Sequence, residues 1–364
     1  MRILDQMGYA SEFTQGLDVS GREFLVLVTR ATFDFPQHPG DIAPRSATQV
    51  PPVMADEATG APGFSAVRWE TDFAHRKRRC DVILNGAAHA PGGVPAPRVR
   101  VGLRVGTWTK SFDVVGHREW RSVGVAWAAT EPVPFRRLDF GYDTAFGGTD
   151  RLDPDDRAPP AYRLNPVGRG WADPRNAARV PGLPLPNTEA ADEPVTSPHG
   201  RYRPMAFGPW GRGWPGRIEH AGTYDQAWVD SVFPFLPADF DERYYQSAPP
   251  DQQIDPPPAG TEVLLVNLTP EGKTWFRLPD TALPVTVFRD GAPVLDSRLL
   301  PDTLLLDPEH RRLSLVWRCE VRIRRIITEF DEAWIGPPTA AMLRARAEGK
   351  AYVRDVATAA DEPA

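Results

Sequence analysis

The chain has little of what fixes covalent or metal-bound structure. Its two cysteines, Cys80 and Cys319, lie far apart and in no metal-ligand spacing. No apolar run approaches the roughly 20 residues that a membrane span needs. The opening stretch MRILDQMGYASEF is too short in apolar residues to read as a signal peptide. A reducing cytoplasm with both thiols free is therefore the expected setting. An excess of basic charge is also missing: the formal net charge is −6 and the pI about 5.7. That balance argues against a general nucleic-acid binder, which needs a basic surface to meet phosphates.

Catalytic signatures are equally scarce. There is no G-x-S-x-G elbow, P-loop, H-E-x-x-H pair or G-x-G-x-x-G after a strand. The seven histidines are scattered and form no helical metal pair. No metal, cofactor or catalytic residue is expected.

Proline is abundant. Forty prolines stand beside 30 glycines, about twice the usual proline share of roughly 5%. Each proline fixes φ and removes a backbone donor, so long helices must be few. Strands joined by stiffened loops are the expectation, in two domains or one large β-rich unit.

Strand patterning is clear at both ends. FLVLVTRATF (Phe24 to Phe33) begins as a continuous apolar run of the buried-strand type, and CDVILNG (Cys80 to Gly86) reads similarly. In RVRVGLRVG, Val99, Val101, Leu103 and Val105 alternate with Arg100, Gly102 and Arg104, the period of a half-buried strand. Trp108, Lys110, Phe112 and Val114 restart that period after Gly106-Thr107, which predicts a hairpin. Beyond Ala259, further strands are predicted over 262–268, 285–290, 303–307 and 313–323, with Cys319 a small core residue on the last. TAAMLRARAEGK predicts a short C-terminal helix capped by Thr339, followed by a frayed tail beyond Val356.

Between about Pro132 and Pro258 no period is sustained. The aromatic residues Phe146, Trp171, Phe207, Trp210 and Trp214 favour an excursion pinned by its rings over a disordered one. Within it, ADFDERYYQSA (Ala238 to Ala248) predicts a short helix capped by Asp239, with Glu242 completing a capping box. The basic run His75-Arg76-Lys77-Arg78-Arg79 reads as a solvated turn offsetting Glu70, Asp72 and Asp81.

The densest stretch is AGTYDQAWVDSVFPFLPADFDERYYQSAPPDQQ, residues 221 to 253. Asp225, Asp230, Asp239 and Asp241 lie there among Tyr224, Trp228, Phe233 and Phe240. Paired carboxyls with aromatic platforms are what glycoside hydrolysis uses. Asp at turns and helix starts fits the same spacings, and Tyr and Trp supply stiff contact area for a protein partner. The residues permit a sugar cleft and a protein surface alike.

Seven motifs in fixed order carry a resemblance: VTRATF (28–33), SAVRWETDFAHRKRRCDVILNGAAHAPGG (65–93), VVGHREW (114–120), AFGGTD (145–150), NPVGRGW (165–171), PNTE (186–189) and AGTYDQAW…FPFLPADFD (221–241). Over roughly residues 10 to 325 the chain resembles domain-of-unknown-function family 2169, found in bacterial type VI secretion gene clusters. Arg30, Arg78 and His117 depart locally from the family's pattern.

The resemblance implies a non-enzymatic adaptor or chaperone. It would bind an effector or its PAAR-type domain and load it onto the VgrG spike. A carbohydrate-active or carbohydrate-binding protein using segment 221–245 is the alternative. Candidate partner-binding residues are Tyr224, Asp225, Trp228, Asp239 and Asp241.

The expected architecture is mainly β: an antiparallel sandwich or barrel-like sheets with long aromatic, proline-rich insertions and a short C-terminal helix. Its expected divisions are a β unit at 1–130, an irregular middle at 131–260, a second β unit at 261–330 packed on the first, and a helix and tail at 331–364.

Overall fold

A computed structural model describes residues 1–352 except Val125 and Pro154; the tail expected to fray lies outside the described residues. The chain is mainly β, as its patterning predicts, and no sheet among the described residues closes into a barrel.

The largest sheet has six strands, in the order Gln253–Ile254, Cys80–Leu84, Thr303–Asp307, Arg312–Arg322, Glu23–Asp34 and Ala10–Leu17. A five-stranded sheet runs Thr188–Glu189, Trp108–Val115, Arg98–Val105, Glu262–Val266 and Lys273–Arg277. A four-stranded sheet runs Arg2–Asp5, Phe330–Ile335, Leu283–Arg289 and Ala292–Leu299. Strands from both ends of the chain thus share sheets. Two pairings within these three sheets are parallel, Cys80–Leu84 with Thr303–Asp307 and Arg2–Asp5 with Phe330–Ile335. Each joins segments far apart in sequence, as parallel neighbours require.

The predicted hairpin forms over Arg98–Val105 and Trp108–Val115, with Gly106 at φ +57° in its two-residue turn. Its buried row of Val99, Val101, Leu103 and Val105 enters a core shared with Leu25, Leu27 and Phe33 of the six-stranded sheet and Val285, Val287 and Ile335 of the four-stranded one. Both cysteines lie in this core, and burial pushes the Cys319 thiol up to about 12.

The unbroken apolar run at 24–28 follows from cover on both faces. Leu25 and Leu27 face the main core, while Val26 and Val28 join Ile83, Leu305 and Val316 in a second cluster against Trp69 and Phe73. Strand Arg312–Arg322 is covered for the same reason at Ser314 and Val316.

The middle of the chain builds small cores of its own. Trp120, Phe146, Tyr162, Val180 and Leu185 form one, with Phe146 edge-on to Tyr162 and Tyr202 at 5.0 and 4.8 Å. Tyr142 and Trp214 anchor another at 5.1 Å, and Trp210 Nε1 donates to the Tyr142 hydroxyl at 2.9 Å. The prolines set the loops, and these rings hold them.

A polar seam fastens this excursion to the sheet. The Asp81 side chain is 0% exposed and that of Lys77 is 4%, with Nζ to Oδ2 at 2.7 Å. Asp81 also accepts from Gln246 Nε2 at 2.7 Å, Ser247 N at 2.8 Å and Ser247 Oγ at 3.0 Å. Gln246 Oε1 in turn accepts from the backbone N–H groups of Arg78 and Arg79. Further along, Gln252 donates to the carbonyls of Val82 and Phe207 and accepts from Lys110 Nζ at 2.6 Å.

The basic run is therefore no solvated turn throughout. Lys77 is buried because its ammonium is the counter-charge of a buried carboxylate, while Arg76, Arg78 and Arg79 face outward and pair with Glu320, Glu242 and Asp255. Of the carboxylates expected to offset it, only Asp81 does; Glu70 pairs with Arg212 and Arg217, and Asp72 with Arg30.

Removing one partner of a buried pair leaves an uncompensated charge, at a cost of about 3–5 kcal/mol. An exposed pair contributes about 1 kcal/mol or less. Urea denaturation of Asp81→Ala should show the larger loss and Arg78→Ala the smaller. Equal losses would contradict this placement.

Candidate functional site

The segment from Gly211 to Gln246 leaves the sheet and returns to it. Its base is held by Arg217, a buried side chain donating to the carbonyls of Trp210 and Tyr244 and to Glu70 Oε1 at 2.8 Å. Above that base the chain closes a neck. Thr223 donates from N and Oγ1 to Asp239 at 2.9 and 2.7 Å, and Asp241 N donates to the His220 carbonyl at 2.9 Å. Gly222, at φ +84°, lies in the neck, where a Cβ would stand 2.9 Å from Asp239 Oδ1. Residues 222–240 form a compact loop with joined ends.

Inside the loop, Asp225 caps the short helix Gln226–Ser231 by accepting from Trp228 N at 2.9 Å. The Trp228 indole is the internal post. Its Nε1 donates to the Phe235 carbonyl at 2.9 Å, and its ring meets Tyr224 and Phe233 edge-on at 4.8 and 5.5 Å. Tyr224 and Phe233 point outward at 51% and 65% exposure, joined by exposed Val229 and Phe235. The Phe235 ring also lies over Gly21, in the turn between Ala10–Leu17 and Glu23–Asp34.

Four of the five candidate residues share this loop, with Asp241 just beyond its neck, and the five divide by role. Tyr224 is exposed; Asp225, Trp228 and Asp239 hold the loop's shape. Asp241 braces the returning chain, accepting from Arg243 N and Nε. The remaining acid, Asp230, accepts from Gln226 Nε2 at 2.8 Å.

The helix predicted over 238–248 is a correction. Only a 3-10 turn forms, at Glu242–Tyr245, and its cap is Asp241. Asp239 has both oxygens on Thr223, and Gln246 is extended so that its amide reaches Asp81. Neck and seam together prevent the helix from starting earlier or running on.

A glycosidase pair needs one carboxyl held protonated and a partner across a substrate. Here the shifts run downward. Hydrogen bonds from Thr223 hold Asp239 below the usual carboxylate range, and the Arg243 guanidinium and N–H bring Asp241 to about 2. The four acids do not line the cavity of about 570 Å³ bounded by Arg30, Val53, Trp69 and Arg312. Among the described residues no cluster of His, Cys, Asp and Glu is arranged to hold a metal. No helix among them is long and apolar enough to cross a membrane.

Val229 and Phe235 complete the apolar surface but were not singled out from the sequence. Phe235 lies in a matched motif, yet nothing in composition separates an exposed ring from a buried one. A family model described as "Uncharacterized protein conserved in bacteria (DUF2169)" matches residues 20–318, a span that includes the whole loop. The chain belongs to this family. No curated protein and no solved structure matches it.

Because the folded pKa of Asp241 lies below the unfolded value, its contribution to stability is complete above 3.8 and is lost as pH falls through about 2. Acid titration followed by circular dichroism should show Asp241→Asn flattening the stability profile in that window. An unchanged slope would contradict the brace.

Proposed function

We propose that this protein is a non-enzymatic adaptor of type VI secretion. It acts in the cytoplasm, binding an effector or its PAAR-type domain and promoting its loading onto the VgrG spike. What supports this reading is the sequence resemblance carried by the seven motifs. The observation that carries it is the loop at 222–240, where Tyr224, Val229, Phe233 and Phe235 are exposed on a frame whose acids are engaged in bracing.

Exposed aromatic rings on a stiff support lose little side-chain freedom when covered, which is the economy of a binding hot spot. An apolar segment of the client would cover the rings, and exposed Asp225 and Asp230 would favour a neutral or basic rim around it. Two large exposed aromatics at the centre of an interface contribute on the order of 2 kcal/mol each when truncated. Glycan stacking on the exposed aromatics of this segment is the competing use of the same rings.

Tagged protein co-expressed with each effector, PAAR protein and VgrG of its own secretion cluster should retain at least one of them. The double variant Tyr224→Ala, Phe233→Asp should lose that partner while its melting temperature stays close to the parent's. Retention unaffected by the double variant, or turnover of a glycan by the parent protein, would overturn the assignment.

A further inference from the structure

Strand Arg312–Arg322 carries a second arginine system that the adaptor reading does not use. The Arg318 side chain is 3% exposed, and none of its three guanidinium nitrogens has a hydrogen-bond partner. Its ion-pair partner is Asp302, with Nε 3.2 Å from Oδ2 but not aligned as a hydrogen bond, and Asp302 also accepts from Thr303 Oγ1. Buried guanidinium groups are normally bonded throughout, since desolvating them without partners is costly. Arg318 is among the residues lining a cleft of about 320 Å³. One wall is the basic run, with exposed Arg76, Arg78 and Arg79 at the mouth; the other is Leu299, Leu300 and Pro301.

We propose that this cleft is an oxyanion site, in which the Arg318 fork receives a carboxylate or phosphate group. A planar fork with free donors matches such a group in bidentate fashion, which water cannot do. The three mouth arginines are in surface ion pairs that exchange cheaply, so they are available to draw in and surround an anion. The apolar wall leaves room for a carbon skeleton attached to the oxyanion.

Two carboxylates, Asp302 and Glu320, share the cleft and oppose an anion. Burial raises the Asp302 pKa, which lessens that opposition. The proposal is independent of the adaptor role.

Isothermal titration of the full chain at low salt tests it, with two titrants: inorganic phosphate and an acetylated, amidated tetraglutamate peptide. Saturable binding of either at one site supports the proposal, and the titrant that binds identifies the source of the oxyanion. Arg318→Met should weaken it by at least about tenfold, the loss expected for charge-assisted bonds. Arg76→Ala with Arg78→Ala, both at exposed positions, should weaken it several-fold, and this pair decides the matter if Arg318→Met does not fold. Arg311→Ala, whose side chain pairs with Glu271 elsewhere, should have no effect. Absence of binding by both titrants would mean that ordered water fills the cleft and would overturn the proposal. Binding indifferent to Arg318→Met, or to the double variant, would overturn it equally.

Discussion

The buried carboxylate of Asp81 is the constraint on which the rest of the structure depends. It sits in a strand between two others of the six-stranded sheet, where an unpaired charge would be prohibitive. Four donors satisfy it: one from its own strand's approach, Lys77, and three from Gln246 and Ser247. Those last residues belong to the far end of a long excursion. Neutralising Asp81 and closing the excursion onto the sheet are therefore one event. The loop with Tyr224 and Phe233 stands on that closure, because the 3-10 turn that follows it leads directly into Gln246.

Two economies of polar groups stand side by side. In and beside the loop, three acids fix backbone: Asp225 on a helix start, Asp239 on a neck, Asp241 on a turn. Acids so engaged are good braces, and the apolar rings they support are left outward. At the cleft beneath the basic run the reverse holds, with a buried arginine whose donors are unspent. The first arrangement favours holding a polypeptide; the second favours holding a charge.

Much of the β framework was legible because period two and β-branched runs report local burial. The hairpin of 98–115 and the strand near 313 are where alternation placed them, and the strands near 262, 285 and 303 form where strand-like runs predicted them. Ala10–Leu17 and Ala292–Leu299 were missed, being edge strands with solvated faces and no strong apolar row. Lys77 misled because a charge run says nothing of a carboxylate brought to it by Gln246 and Ser247, which are 170 residues downstream in contacts such as Lys77 to Ser247. Tyr142 and Tyr224 make the same point for the site. One is buried and the other exposed, yet both stand in mixed polar and aromatic stretches, and only tertiary contact separates them.

Amide hydrogen exchange on Asp81→Asn tests the central dependence most directly. Neutralising Asp81 should deprotect residues 240–254 and the loop at 222–240, while Arg98–Val105 and Glu262–Val266, on the other large sheet, keep their protection. Unchanged protection at 240–254, or a uniform loss across both sheets, would contradict the claim that this carboxylate is what binds the excursion to the scaffold.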